Sequence, residues 1–287
     1  MNEDRVLIAI ATYKEVENLE KLIPKIRDFD KSSDILIVDD QSEDKTKEVI
    51  SVLDKKLNII QRPKKLGLGT AHILCMLYAI KNNYNFLLTM DADFSHDPSY
   101  IPDVIKLKGK NNFVIGSRFC EGGKSDYKGT KKVISYVANF LTRNILSIDL
   151  KEITTYFRMY DTENLKKLPF NELDAQGYSL GVKIIWLLNL LKVDLLETPI
   201  HLQDRNMGKS KIPKFQIFVS AFDLIKIKLK DIFLGKKILL NKRKSYDVDN
   251  KCSHCNNNYF ALLKNNIYRC LICLNEQIIK NEEKEKN

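Results

Sequence analysis

Residues 87–98 read LLTMDADFSHDP, an apolar run that ends in two aspartates one residue apart, Asp91 and Asp93, followed by Ser95, His96 and Asp97. Alternate side chains of an extended segment point the same way. A strand leaving the core here would deliver both carboxylates to one place. Adjacent carboxylates repel unless a cation or a shared proton compensates, so the pattern points to a bound metal. Taken alone it also fits a polar turn, because DADFSHDP is rich in turn residues.

The surrounding sequence alternates. Strand-like runs at 5–12 (RVLIAIAT), 34–40 (DILIVDD), 57–62 (LNIIQR), 85–93 (NFLLTMDAD) and 112–118 (NFVIGSR) are separated by helical spacing over 18–29, 42–55 and 68–83. In the first of these helices the apolar positions are Leu19, Leu22, Ile23 and Ile26. Such alternation predicts an α/β domain with a mostly parallel sheet, whose ligands sit beyond the carboxyl ends of the strands. Thr12, Asp39, Asp40, Asp91 and Asp93 all fall at such ends. Further on, VKIIWLLNLLKV (182–193) is apolar all round and too short to span a bilayer, which predicts a core helix. The stretch 215–235 places Phe215, Phe218, Phe222, Ile225, Leu229 and Ile232 on one stripe, with Lys226, Lys228 and Lys230 among them. That stripe suits a membrane interface or packing on its own domain.

The chain has 287 residues, 44% hydrophobic and 29% charged, a globular composition of one large domain and something small. Its net charge of +10 suits anionic partners, whether nucleic acid, phosphate-bearing ligands or an acidic membrane surface. MNEDRVLIAIATY opens on acids and its apolar run is short, so no signal peptide is expected. No uninterrupted apolar run reaches the length of a membrane span.

Several stretches line up, in order, with glycosyltransferase family 2. ATYKEVENL (11–19) resembles its P-T-Y-N-E-x-E-N-L, LIVDDQSEDKT (36–46) its V-D-D-x-S-x-D-x-T, RPKKLGLGTA (62–71) its R-x-x-K-x-G-L-G-x-A, and MDADFSHDPSYIP (90–102) its M-D-A-D-L-S-H-x-P. VIGSRF, ANFLTR, ITTYFRMY, GYS and TPIHLQDRNMGKSK follow in the family's order, and the likeness spans about residues 5–212. Within the family the chain is most similar to dolichol- or polyprenol-phosphate mannosyltransferases. The resemblance implies a GT-A, Rossmann-like fold. It implies metal-dependent, inverting transfer of mannose from GDP-mannose to a polyprenyl or dolichyl phosphate. The alternatives are UDP-glucose or another nucleotide sugar as donor, and a lipid or saccharide as acceptor.

By resemblance, Asp93 ligates Mg2+ or Mn2+ with Asp91 beside it, and Ser95 stands where some relatives have a Gln ligand. Ala11, Tyr13, Glu15, Val38 and Asp40 match the nucleotide pocket, with Ala92 between the two aspartates. Arg118, Arg205 and Lys211 match phosphate-binding cations. The chemistry fits, because a cation and fixed guanidinium or ammonium groups offset the charge that gathers on a leaving diphosphate. Each residue also has a plainer reading. Tyr13 suits a core aromatic, Asp39 a helix cap, and Lys211 a surface lysine. Departures from the pattern concentrate on the acceptor side: Glu152 and Thr155 replace the usual Asp and Gly, Tyr136 an Arg, and Lys183 a Glu. Near the donor, Ala11 and Lys14 replace Pro and Asn. A phosphate acceptor is already an anion and needs no strong general base, unlike a sugar hydroxyl.

Four of the six cysteines form a second constellation, Cys252-Ser-His-Cys255 and Cys270-Leu-Ile-Cys273, fourteen residues apart. This is the spacing of a zinc ribbon holding structural Zn2+, with rubredoxin-like iron as the alternative and His254 a bystander. The chain therefore divides into a transferase domain (1–240), a charged linker (241–251), the ribbon (252–279) and a tail (280–287), with the ribbon expected to be separable from catalysis. The expected location is cytoplasmic, peripheral at the cytoplasmic face of a membrane, which leaves room for a membrane-bound protein partner. The competing class is a zinc-ribbon module that binds nucleic acid or protein. Neither a basic stripe nor interleaved exposed aromatics supports nucleic acid. A phosphatase of the haloacid dehalogenase type is a third reading, but those enzymes carry the aspartate pair after their first strand, and here about three strands precede it.

Overall fold

The structure, a computed structural model, describes residues 4–42, 53–54, 57–173, 179–203, 216–240, 246–264 and 267–279. The first half comprises β1 (Val6–Thr12), α1 (Val16–Phe29), β2 (Asp34–Asp39), β3 (Leu57–Gln61), α2 (Leu68–Lys81) and β4 (Phe86–Met90). After a 3-10 turn at Pro98–Tyr100 come α3 (Ile101–Lys106), β5 (Asn112–Ser117), β6 (Lys124–Ser125) and α4 (Gly129–Leu146). They are followed by β7 (Arg158–Asp161), the single turn α5 (Thr162–Leu165), α6 (Ser179–Leu190), β8 (Asp194–Pro199), β9 (His201–Leu202) and α7 (Gln216–Phe233). Four more strands close the chain: β10 (Tyr246–Asp247), β11 (Phe260–Lys264), β12 (Ile267–Cys270) and β13 (Glu276–Ile278). The helix expected over 42–55 falls almost wholly outside the described residues.

Seven strands form one sheet in the order β3-β2-β1-β4-β7-β5-β8. All neighbours run parallel except β7, which lies antiparallel between β4 and β5. The inner parallel strands β1, β2, β4 and β5 are buried at nearly every position because both sheet faces are covered there. In β1, Leu7 and Ala9 join the core under α2 and α6, while Val6, Ile8 and Ile10 join the core under α1 and α3. Leu19, Leu22, Ile23 and Ile26 of α1 are buried as their spacing predicts. The apolar helix at 182–193 is indeed a core element, α6, with Ile184, Ile185 and Trp186 buried. Register places Thr12 opposite Asp39 and Asp39 opposite Gln61, so the exits of β1, β2 and β3 share one edge.

The sequence alternation does not disclose β7. Arg158 at its start is fully buried and donates to the carbonyls of Thr155 (2.6 Å), Ile153 (2.8 Å) and Gly181 (3.1 Å). It thereby ties the 150–157 loop to α6. A Cβ at position 181 would sit 2.7 Å from the guanidinium, so this approach requires glycine.

The small sheet runs β10-β11-β12-β13, antiparallel throughout. It takes in Tyr246 and Asp247, residues that composition alone places in a linker. The ribbon also does not stand clear of the large domain. Tyr259 stacks on Tyr78 of α2 with centroids 6.1 Å apart, and Lys81 lies 4.7 Å over the Tyr259 ring. Lys81 also donates to Asn258, and Phe170 meets Tyr246 edge to face. Cys252, Phe260, Tyr268 and Ile272 belong to the same buried cluster as Leu36 and Val38. These contacts seat the ribbon on α2 and extend the buried cluster of the sheet into it.

Tyr259→Ala, which leaves the cysteines in place, should therefore cost roughly 3 kcal/mol and lower the Tm of the whole protein by about 5–10 °C. Thermal unfolding followed by calorimetry checks this, with one transition expected in both proteins.

Candidate active site at the carboxyl edge of the sheet

Where β4 ends, the chain turns through Asp91–Asp97. His96 is buried, and its Nδ1 accepts the Asp91 amide at 3.0 Å, which places the ring proton on Nε2. The His96 ring stacks on Phe157, centroids 5.4 Å apart. Burial pulls the His96 pKa down, against the opposing pull of Asp91 and Asp93. Arg118 and Glu152 act on the same ring, so all four charges surround one buried neutral imidazole. Asp93 Oδ1 accepts the Ser95 amide at 3.1 Å, and Phe94 takes a left-handed φ of 60°. Asp91 and Asp93 are half-buried, while Ala92 and Ser95 are buried. Asp97 caps the 3-10 turn through the Ser99 amide (2.9 Å) and pairs with Lys25 (3.3 Å). Burial, which would raise its pKa, is outweighed by these donors, and the carboxyl is held low.

The exits of β1 and β2 form a second polar network. Asp39 Oδ1 accepts from Thr12 Oγ1 (3.0 Å) and Ser42 Oγ (2.5 Å), and Ser42 Oγ in turn accepts the Lys14 amide (2.7 Å). Asp39 thus fixes the loop after β1. Asp40 pairs with Arg62 from the end of β3, both groups being almost fully buried. Its Oδ2 accepts the amides of Leu66 (3.0 Å) and Gly67 (2.8 Å), and Arg62 also reaches Thr70 Oγ1 (2.7 Å) and the Gly67 carbonyl (3.1 Å). Burial lowers the Arg62 pKa, against the pull of Asp40. Gly67, with φ of 95° and ψ of 150°, starts α2 in a conformation only glycine adopts freely.

The matched nucleotide residues sort themselves along this edge. Tyr13 is half-buried with Lys65 4.2 Å over its ring and Lys14 at 5.6 Å. Glu15, just before α1, accepts from Asn18 at 2.6 Å. Ala11 is partly buried. The Val38 side chain is fully buried among core residues, so only its backbone faces the edge. Asp40 spends its carboxylate on Arg62 and the 66–67 amides, and shapes the pocket through them. Arg205 and Lys211 lie outside the described residues. Gln203, the last described residue before them, donates its amide to the Ser95 carbonyl (3.3 Å) and its side chain to Asp97 (3.4 Å).

Arg118, at the exit of β5, is 7% exposed and ion-paired with Glu152 through Nε at 2.7 Å and Nη2 at 3.3 Å. Nη2 also donates to Thr154 Oγ1 at 2.6 Å, and Tyr127 and Phe119 flank the guanidinium. Glu152 therefore serves as the partner that aims Arg118. Residue spacing carries no sign of this pairing, although the Glu at position 152 in place of the family's Asp marks the spot. Asn139 of α4 ties the helix to the same loop by accepting the Ile153 amide at 2.7 Å. A pocket of about 210 Å3 opens beside it, lined by Phe119, Tyr136, Phe140, Arg143 and Lys151. The Lys183 side chain is 9% exposed in α6.

The four ribbon cysteines place one sulfur each within 4.8 Å of one another, the only such cluster of three or more ligand side chains among the described residues. Cys252 Sγ lies 3.7 Å from Cys273 Sγ, and Cys255 Sγ 3.6 Å from Cys270 Sγ. Thiolates at tetrahedral corners around zinc are about 3.8 Å apart, so the donor set fits. Each knuckle closes with a residue of left-handed φ, Asn256 (59°) and Leu274 (61°). Their amides donate to Cys252 O and Cys270 O at 2.9 Å.

Residues 7–169 match the sequence family Glycosyl transferase family 2. The chain is 32% identical over 212 residues to an undecaprenyl-phosphate mannosyltransferase of Micrococcus luteus, covering 72% of this chain and 87% of that one. It is 29% identical over 224 residues to a polyprenol monophosphomannose synthase of Mycolicibacterium smegmatis, covering 76% and 84%. Among solved structures it is similar to glucosyl-3-phosphoglycerate synthase of Mycobacterium tuberculosis in complex with Mn2+, UDP and phosphoglyceric acid. The TM-score is 0.55 at 16% identity, over 90% of this chain and 86% of that one. At that identity the likeness is one of fold, and the fold is GT-A.

Behind this edge His72 of α2 is 1% exposed and stacks on Tyr156 at 4.2 Å. Its Nε2 has no hydrogen-bond partner among the described residues. Burial, then the charges of Arg158 and Arg62, push its pKa from 6.5 down to about 3. Below pH 6.5 the unfolded chain takes up this proton and the folded chain does not. The stability that His72 contributes is complete above pH 6.5 and is lost toward pH 3, at about 1.4 kcal/mol per pH unit. His72→Gln should flatten the acid limb of a urea-melt series by one proton's worth of slope.

Proposed function

Because the chain belongs to glycosyl transferase family 2, we propose that this glycosyltransferase moves mannose from GDP-mannose to a polyprenyl phosphate, with inversion and with the help of a divalent cation. An acceptor phosphate oxygen forms the new bond to the anomeric carbon as the bond to the nucleoside diphosphate breaks. One displacement inverts that carbon, and the electron pair leaves with the diphosphate. Asp91 and Asp93 are the carboxylates that would hold Mg2+ or Mn2+, an arrangement in which one or two carboxylates and the substrate's own phosphates supply ligands. The cation, when bound, offsets charge on the leaving diphosphate. Arg118, aimed by Glu152, adds a fixed positive charge on the acceptor side. The phosphate nucleophile is anionic already, so the site needs no carboxylate base.

One observation carries the acceptor reading. Beside Arg118 the surface is apolar over two neighbouring helices. In α4, Val133, Ile134, Val137, Phe140 and Leu141 are exposed, and in α7 so are Phe222, Ile225, Leu229, Ile232 and Phe233. The two helices are in contact. Exposed apolar faces of this extent mark a surface that binds something apolar, and a membrane leaflet supplies both that surface and the polyprenyl tail. No helix among the described residues is long and apolar enough to cross a membrane. Docking therefore relies on this face. Lys226, Lys228 and Lys230 contribute less than their number implies, because each is paired, with Asp223, Asp231 and Glu172. Arg143 and Lys151 beside the 210 Å3 pocket stand ready for the phosphate where Tyr136 offers no charge.

Asp93→Ala should reduce transfer by about a thousandfold with an unchanged melting temperature. Turnover of GDP-[14C]mannose with Mn2+ present measures this, and a wild-type rate in the variant rules the role out. In vesicle co-sedimentation, Val137→Glu combined with Ile225→Glu should reduce binding to anionic vesicles more than Lys226→Glu does. Wild-type binding by the double variant would mean that this face is not the membrane contact.

A further inference from the structure

The ribbon is the part of the chain that the transferase chemistry leaves unused, yet its knuckles face the carboxyl edge of the sheet. Between the two lies a cleft of about 550 Å3. One wall is Gln41 after β2, Gln61 at the end of β3 and Pro63 beyond it; the other is His254 and Ile272, beside the ligand cysteines Cys255 and Cys273. The floor is Arg62, pinned by Asp40. Ser42, also at this cleft, is bonded to Asp39 and to the backbone of Lys14 in the loop that carries Tyr13. The ribbon wall is fixed in place by the Tyr259–Tyr78 stack and by the buried cluster the ribbon shares with β2 and α2.

We propose that the ribbon forms the base-side wall of the donor-nucleotide site, so that the metal-loaded knuckles help set nucleotide affinity and base preference. The inference rests on the donor reading above and extends it to a module that lies outside the transferase motifs. Three physical features support it. The cleft is at the carboxyl ends of parallel strands, where ligands of such sheets bind. Its volume is that of a small-molecule site. Its lining suits a planar heterocycle: Pro63 and Ile272 offer apolar contact, while the Gln41 and Gln61 carboxamides present both donors and acceptors to a base edge. Four thiolates converging on one cation would hold the two knuckles, and with them His254, in a fixed position.

The test is calorimetric titration of the full-length, zinc-loaded protein with GDP, UDP and inorganic pyrophosphate. The variants are His254→Ala and Gln61→Ala, both at exposed positions outside the thiolate set. Each should weaken binding of the preferred nucleoside diphosphate by about tenfold, the effect of one lost hydrogen bond or ring contact. Each should also narrow the difference between GDP and UDP and leave pyrophosphate binding unchanged. Zinc removal by a chelator, with Mn2+ restored afterwards, should reproduce the nucleotide defect. Nucleotide affinities equal to wild type in both variants overturn the inference, as does a parallel loss of pyrophosphate binding. A wild-type protein that binds neither GDP nor UDP overturns the donor reading itself, and the two failures are told apart by that control.

Discussion

The carboxyl edge of the sheet at β2 and β3 depends on one buried ion pair, Asp40 with Arg62. Two charges removed from water are costly, and they are tolerated only when the remaining donors and acceptors are also satisfied. Here they are: Asp40 takes the amides of Leu66 and Gly67, and Arg62 takes Thr70 and a carbonyl. The result is that the exits of β2 and β3 and the start of α2 hold one fixed geometry. The fully buried Arg62 also lies at the cleft under the ribbon, and its charge helps to keep His72 neutral. A carboxylate that the family resemblance matches to nucleotide contact thus spends itself on holding the 66–67 loop and Arg62.

The acceptor side is assembled differently. Arg118 comes from the end of β5, Glu152 and Thr154 from a loop 34 and 36 residues later, and Asn139 from a helix between them. Glu197 of β8 accepts the amides of Lys151 (3.0 Å) and Glu152 (2.9 Å) and so anchors the loop. Glu152 is one methylene longer than the Asp usual in the family, which gives its carboxylate the reach to engage Arg118 with both oxygens. Charge-assisted pairs of this geometry orient as well as attract. The exposed apolar residues of α4 and α7 adjoin this assembly, and the two helices are in contact.

The ribbon changes what the transferase domain is. A unit this small draws its stability from a metal and from whatever it packs on. Here it packs on α2 through Tyr259 and Asn258 and belongs to the same buried cluster as the sheet. The helix that carries the ribbon at Tyr78 and Lys81 is the same helix whose start Asp40 and Arg62 hold.

The sequence by itself determined the period of the strands and helices, the aspartate pair at a strand exit, and the two cysteine knuckles. Each of these is local: a two-residue or 3.6-residue period, or a ligand spacing, is written in consecutive residues. It also located Thr12, Asp39, Asp40, Asp91 and Asp93 at one edge, because parallel strands bring their carboxyl ends together. Only the tertiary structure decided which partners those charges take. That Asp40 spends itself on Arg62, that Val38 faces the core, that Glu152 aims Arg118 and that β7 enters the sheet antiparallel are all contacts between segments far apart in the chain. The same holds for the ribbon. Its cysteine spacing announced a metal site, and its charged flank read as a linker. Its place against the donor edge came from the packing of Tyr259 on Tyr78, and neither residue's identity encodes the other as its neighbour.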